Sequence, residues 1–374
     1  MVNRRHFTRG LAGAAAALAV PALRAQGERI LLAQSAAFTG PAAQLGIQFY
    51  QGAKLYFDQV NAQGGLHKKA VEIVKADDGY EPDRCAENTR KLIAEEPLSL
   101  FGYIGTPTSL VALPLATTAR VPFFAPFTGA MGLRQPFNRY AFHVRASYND
   151  ETELIVKQLT FLGLHKIAVF FQNDAYGKAG LDGVELAMKT RNMKVLAQAP
   201  FERNTVAVGA AVKTLVAAQP DAIVQIGAYK ACAAFIRQAR AAGFGGTFFN
   251  VSFVGTQALA DELGKDAAGV VISQVMPSPY SAARPITREF LQAVKKGGAD
   301  YQANFSSMEG YLAAKVFAEG LRRGKPTRDG LIAGLETMTS EDFGGFQVSF
   351  SPTDHAASKY VELSMLTGDG KVRT

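Results

Sequence analysis

The sequence predicts an α/β fold built from two doubly wound parallel-sheet lobes. Strand-sized apolar runs alternate with stretches of helical periodicity at a steady pitch from about residue 29 onward. The strands are apolar throughout rather than alternating, as parallel strands covered on both faces must be. A length of 374 residues, 48% of them hydrophobic, suffices for two such units, each with its own core.

The first strand is expected over 30–33 and the first helix over 48–63. Gly64-Gly65 stops that helix, because glycine accepts the backbone that a helix C-terminus needs. A strand follows over 71–75, then a helix over 83–95 with apolar residues three and four apart. Next come a strand over 99–104, a helix over 106–119 and a strand over 123–125. The second half repeats the rhythm, with helices over 151–162, 175–190, 206–218 and 231–242. Its strands fall at 166–171, 195–199, 222–226 and 247–250. Two open sheets in one chain enclose a cleft, and ligands of such sheets bind beyond the C-terminal ends of the strands.

Half of the net charge of +8 lies in residues 1–25, where Arg4, Arg5, Arg9 and Arg24 stand without an acid. No run of like charge and no basic stripe interleaved with aromatics follows, so nucleic acid is excluded as a partner. The basic head, the short apolar run over 10–21 and the small residues ahead of position 26 read as an export signal, cut after about Ala25. Arg4-Arg5-His6-Phe7 resembles a twin-arginine signal; an ordinary secretory signal holding two arginines is the alternative. No cysteine near the cut offers a lipid anchor, and the apolar run is shorter than the ~20 residues of a membrane span. The mature protein is therefore expected in the periplasm. Cys85 and Cys232, 147 positions apart and in different lobes, are expected as free buried thiols.

The strand ends carry the candidate site. After 99–104 stand Gly105, Thr106, Pro107, Thr108 and Ser109. Thr106 reads as a helix N-cap and Pro107 as the first helical residue, leaving N–H groups and hydroxyls to face a carboxylate in the cleft. The same residues equally suit a cap that serves only its own helix. After 123–125 come Pro126, Phe127, Thr128 and Gly129. The second half adds Tyr176, Tyr229, Ser252 and Phe253, each just beyond a strand, and Tyr148 lies near the hinge. Together they describe a small-molecule pocket with apolar walls and few polar anchors.

Catalytic signatures are missing: no Gly-rich phosphate loop, no Ser elbow, no His pair on a helix and no Cys cluster. Neither a metal nor a cofactor is called for, and the chain does not read as an enzyme. Asp77-Asp78 is a paired carboxylate, but its setting is that of a loop and helix-start acid pair. His143 reads as structural.

These segments resemble the Leu/Ile/Val-type (branched-chain amino acid) solute-binding proteins of ABC importers, of the type I periplasmic binding fold. The resemblance rests on Phe38-Thr39-Gly40-Pro41 through Gly46, on Asn61 to Leu66, and on Asp77-Asp78 followed by Pro82. It continues through Asn173 to Lys178, Arg237 to Gly243 and Glu309 to Ala314. It implies two lobes joined by three hinge crossings near 144–147, 273–277 and 350–354. Lobe one would comprise 28–145 plus 276–350, and lobe two 146–275 plus 351–374. It further implies a monomer that closes on its ligand and presents it to a membrane permease; a sensor for a membrane kinase or chemoreceptor would use the same fold.

Carried over by position, Gly105, Thr106 and the loop Phe127, Thr128 and Gly129 match the segments that hold a ligand carboxylate. Tyr176 and Tyr229 match aromatics that close over the ligand. Ser252 stands where amino-acid binders carry an acid for the ammonium group, and a buried ammonium without a partner is costly. Asp150 or another cleft acid is the candidate replacement. Without one, an aromatic or keto acid lacking the amino group fits Ser252, Phe127, Tyr148 and Phe253. Leu45 replaces an aromatic wall residue, and Tyr80 and Gly105 replace the family's cysteine pair. Folding without a bridge would suit twin-arginine export, which moves folded proteins.

Overall fold

The computed structural model describes residues 29–374, so the export segment and its cut lie outside the described residues. In the first lobe, β1 (Ile30–Ala36), β2 (Val71–Asp77), β3 (Ser99–Phe101), β4 (Phe123–Phe124) and β5 (Ala141–Phe142) form a parallel sheet in the order β2-β1-β3-β4-β5. The helices α1 (Ala43–Ala62), α2 (Pro82–Ala94) and α3 (Thr106–Thr118) connect the first four strands.

The second lobe begins with α4 (Tyr148–Phe161) and continues β6 (Ile167–Gln172), α5 (Ala175–Lys189), β7 (Ala197–Phe201) and α6 (Gly209–Ala217). It then runs through β8 (Ala222–Ile226), α7 (Tyr229–Ala241), β9 (Thr247–Asn250), α8 (Thr256–Leu263) and β10 (Val271–Gln274). The chain next returns to the first lobe with α9 (Pro285–Gly297), α10 (Phe305–Arg323), α11 (Arg328–Glu336) and the small hairpin β11 (Glu341–Asp342) and β12 (Gln347–Val348). It ends in the second sheet with β13 (Glu362–Leu366) and β14 (Val372–Arg373), giving the order β14-β13-β10-β9-β8-β6-β7. β13 pairs antiparallel with β10 and with β14, so a parallel sheet acquires an antiparallel edge.

Several elements differ from the sequence expectation for local reasons. β5 is only two residues long and carries no periodicity of its own. β7 lies two residues later than expected and includes Pro200; as the edge strand beside β6 alone, it tolerates a residue without an N–H. β1 extends to Ala36 and brings Phe38 and Thr39 to Asp77, whose carboxylate accepts both N–H groups (2.9 and 3.1 Å) and the Thr39 hydroxyl (2.6 Å). Asp77 is thus a loop staple, and Asp78 is buried on the Ser35 hydroxyl (2.7 Å).

Fifteen of the nineteen residues of α10 are buried, which makes it an interior helix rather than an amphipathic cover. It lies against α1 through two glycines: a Cβ on Gly52 would come within 1.8 Å of the Ser307 carbonyl oxygen, and one on Gly310 within 2.0 Å of the Phe49 carbonyl oxygen. Phe317 from α10 packs against Phe101 and Phe124 at centroid distances of 5.9 and 5.3 Å, closing the first lobe's core. A charged residue on α10 therefore starts inside the protein, and Glu309 is such a residue.

The first and third crossings run side by side. The His143 N–H donates to the His355 carbonyl (2.8 Å), and the Ala357 N–H to the His143 carbonyl (2.8 Å). Cys85 and Cys232 are free and buried, one in each lobe.

Candidate ligand site in the cleft between the lobes

All ten residues singled out from the sequence are buried where the two sheets' C-terminal ends face each other. Helix caps place the aromatics. Asp174 caps α5 through the N–H groups of Tyr176 (2.9 Å) and Gly177 (3.3 Å), fixing Tyr176 in the first turn. Ser147 and Asp150 form a reciprocal capping box that sets Tyr148 as the first residue of α4. Gly129 accepts the Tyr148 N–H (2.8 Å), and a Cβ there would lie 2.5 Å from that nitrogen.

The rings form one cluster. Tyr176 meets Phe253 at 4.4 Å and Tyr148 at 5.5 Å between centroids; Phe253 also meets Tyr80 and Phe127, each at 5.8 Å. Ser252 lines the same space, whereas Tyr229 sits at its edge, accepting a long bond from the Gln44 N–H (3.4 Å) of the opposite lobe. Leu45 also crosses the cleft, against Gly255.

Three sequence expectations need correction here. The N-cap of α3 is Gly105 rather than Thr106, and Pro107 is the second helical residue. Gly105 takes φ +94°, which favours glycine, and the Tyr80 ring occupies the place of its Cβ, 2.2 Å away. The hydroxyls do not all face the cleft: Thr106 and Thr128 bond each other (2.6 Å), and Thr108 bonds back to Ile104. Asp150 does not reach the cleft either, because its carboxylate is spent on the Ser147 N–H and hydroxyl (2.9 and 2.5 Å).

The acid beside Ser252 is Glu151. It accepts the Ser252 N–H (2.7 Å), the Ser252 hydroxyl (3.0 Å) and the Ser273 hydroxyl (2.5 Å). Across the site, Arg145 lies over the Phe127 ring at 4.3 Å and pairs with Glu309. Its Nη2 donates to Glu309 Oε2 (2.9 Å), and its Nε lies 2.9 Å from Oε1 at an angle too bent for a hydrogen bond. Burial pushes the Glu309 carboxyl up to about 7 against the pull of Arg145, and burial likewise raises Glu151. Sequence reasoning missed Arg145, Glu151 and Glu309 as a group. Their signal was a charge at each of three positions that the fold buries.

Four buried polar atoms around the cleft have no hydrogen-bond partner among the described residues: the hydroxyls of Tyr148 and Tyr176, and Nε and Nη1 of Arg145. All four can donate a hydrogen bond; Glu151 is filled by three protein donors, and Glu309 takes one hydrogen bond on Oε2 and otherwise meets Arg145 by charge. In this conformation the cleft is closed, leaving about 10 Å³ between Phe127, Arg145, Ser252, Met276, Phe305 and Glu309. That is room for about one water molecule, so a ligand enters only when the lobes part.

A polar clasp holds the rim. Arg203 of the second lobe donates to Glu81 of the first (2.9 Å) and to Asp174 of its own lobe (3.2 Å). Asn204 donates to Glu81 (2.7 Å) and to the Gly79 carbonyl (3.0 Å). Among the described residues, no group of three or more His, Cys, Asp or Glu is placed to hold a metal ion. No helix among them is long and apolar enough to cross a membrane.

Residues 30–371 match the profile of a family described as periplasmic binding protein. A solved structure from Rhodopirellula baltica, titled as a possible leucine/isoleucine/valine-binding protein, superposes with a TM-score of 0.90 at 33% identity, covering 94% of this chain and 97% of that one. A substrate-binding periplasmic protein from Ralstonia solanacearum gives a TM-score of 0.86 at 32% identity, covering 92% and 99%. A protein of Brucella suis named Leu/Ile/Val-binding protein homolog 7 is 24% identical over 305 residues, 77% of this chain and 75% of that protein.

Proposed function

The chain belongs to the periplasmic binding protein family, of the Leu/Ile/Val-binding type, and on that premise we propose that it is the extracytoplasmic solute receptor of an ABC importer. It takes a small carboxylate in the cleft between two lobes, 28–145 plus 276–350 and 146–275 plus 351–374, and delivers it to a membrane permease. The ligand is an amino acid of the branched-chain type or a related acid without the amino group.

One observation carries this reading and favours the amine-free acid. The buried atoms left without hydrogen-bond partners around the cleft are donors on Arg145, Tyr148 and Tyr176, whereas Glu151 is filled by Ser252 and Ser273 and Glu309 is ion-paired with Arg145. Donors suit a carboxylate; an ammonium group would require a free acceptor in a dry site. Phe127, Tyr176 and Phe253 supply the apolar walls, and closure of the rim excludes water.

Thermal-shift measurements with leucine and 4-methyl-2-oxopentanoate, which differ only at C2, where a carbonyl replaces the ammonium-bearing carbon, test this directly. A ligand that binds the native state alone raises the melting temperature by mass action. Stabilisation by the oxo acid, and by aromatic acids in the same screen, is the expected result. Stabilisation by leucine alone would assign an amino acid. A protein unmoved by every carboxylate and amino acid in the screen would end the proposal.

A further inference from the structure

Beside the first and third crossings lies a cavity of about 460 Å³, none of whose lining residues borders the cleft remnant. Small-molecule sites commonly span roughly 300–1,000 Å³. Its walls come from residues 131–138, from the first crossing and the start of α4 (Ala141, His143, Ser147, Asn149 and Asp150), and from residues 353–359 of the third crossing. It therefore touches two of the three strands that connect the lobes.

Arg134 dominates its chemistry. The residue is 9% exposed, and its Nη2 donates to the carbonyl oxygens of Arg145 (3.0 Å) and Ala146 (3.1 Å) in the first crossing. Its Nε is buried without a partner, and no carboxylate among the described residues pairs with it. The two acids lining the cavity are engaged elsewhere: Asp150 on Ser147, and Asp354 on the Ala356 N–H (2.9 Å). A buried guanidinium without a counter-ion is costly, and its planar fork matches a carboxylate. One further feature agrees: the exposed Lys359 adds a second cation to the wall. His143 donates through Nε2 to the Leu133 carbonyl (3.1 Å), which fixes its ring in the wall.

We propose that this cavity is a second ligand site, separate from the cleft, which takes a small carboxylate on Arg134. Because Arg134 holds the carbonyl of Arg145, whose side chain reaches into the cleft, occupancy of the cavity braces the first crossing and is coupled to lobe closure. By linkage that coupling acts equally in both directions.

Calorimetric titration of the protein with malate, against sodium chloride of equal ionic strength, tests the site. The expected result is saturable binding at one site by the wild type and by a cleft variant, Tyr176→Ala. Arg134→Gln should weaken it at least tenfold. Lys359→Gln, a surface change that leaves folding intact, should weaken it several-fold. Non-saturable heats in the wild type would overturn the proposal. So would loss of binding in Tyr176→Ala, or wild-type affinity in both Arg134→Gln and Lys359→Gln. The cleft assignment is tested separately by the leucine and oxo-acid screen, so either can fail alone.

Discussion

Glu151 receives both the backbone N–H and the hydroxyl of Ser252, at 2.7 and 3.0 Å, from 101 positions earlier in the chain. The acid beside position 252 therefore comes from α4, and its carboxylate is committed to its own lobe. Its work is to join the start of α4 to the ends of β9 and β10.

Glu151→Gln keeps the shape and turns an amide N–H₂ toward donors that need an acceptor. It should lower stability by about 1–3 kcal/mol, the usual cost of unpaired buried polar groups. Urea unfolding at neutral pH measures it, and an unchanged midpoint would contradict the assigned role.

The buried acids Glu309 and Asp78 should each lose a stabilising contribution as pH rises from about 4.5 to 7, whereas burial holds His143 and His355 below their ordinary value and makes them act in the opposite sense. Burial lifts Glu309 from its ordinary 4.5 to about 7, and lifts Asp78 to about 6. Between the unfolded and folded values the native protein keeps a proton that the unfolded chain has lost. The stabilisation is therefore full below the unfolded value and is gone above the folded one. The wild type should lose stability relative to Glu309→Gln as pH rises through this range, which paired melting curves would reveal.

Tyr148→Phe and Tyr176→Phe each remove a buried hydroxyl that has no partner. The free protein should be unchanged or more stable by up to about 1 kcal/mol, because no hydrogen bond is lost. Ligand affinity should fall at least fivefold. A drop in free-protein stability would show that the hydroxyl serves the fold.

Arg203→Ala should speed ligand release several-fold and leave association nearly unchanged, since the rim clasp forms only after the lobes meet. Asn204→Ala should act the same way. Stopped-flow displacement separates the two rates. Equal slowing of association would place these residues in encounter instead.

Gly105→Ala should destabilise the first lobe by roughly 1–3 kcal/mol from its positive φ alone, with more from displacement of the Tyr80 ring. Tyr80→Ala in the same background should recover part of the loss. If the two changes simply add, the contact is not shared.

The alternation of strands and helices was legible because fully buried parallel strands and capped helices are local patterns, as the match at 222–226 and 247–250 illustrates. The aromatics Phe127, Tyr176 and Phe253 were legible for the same reason: each follows a strand. Arg145, Glu151 and Glu309 were not. In the sequence, Glu151 is an ordinary first-turn acid and Glu309 one charge in an apolar helix; only burial of α10 brings them to Arg145. Thr106 misled because a hydroxyl residue ahead of a proline looks like a cap, whereas the backbone at Gly105 had already turned.

The antiparallel edge of the second sheet orders events during synthesis. Ser273 in β10 waits for Leu363 in β13, ninety residues later, whereas β1 finds β2 within about forty. Long sequence separations delay pairing, and a chain is made from its N-terminus onward. The first sheet is complete once residue 142 has emerged, but β10 remains an open edge until the last dozen residues leave the ribosome. A chain truncated before residue 362 would carry that edge permanently, as a template for pairing with another copy.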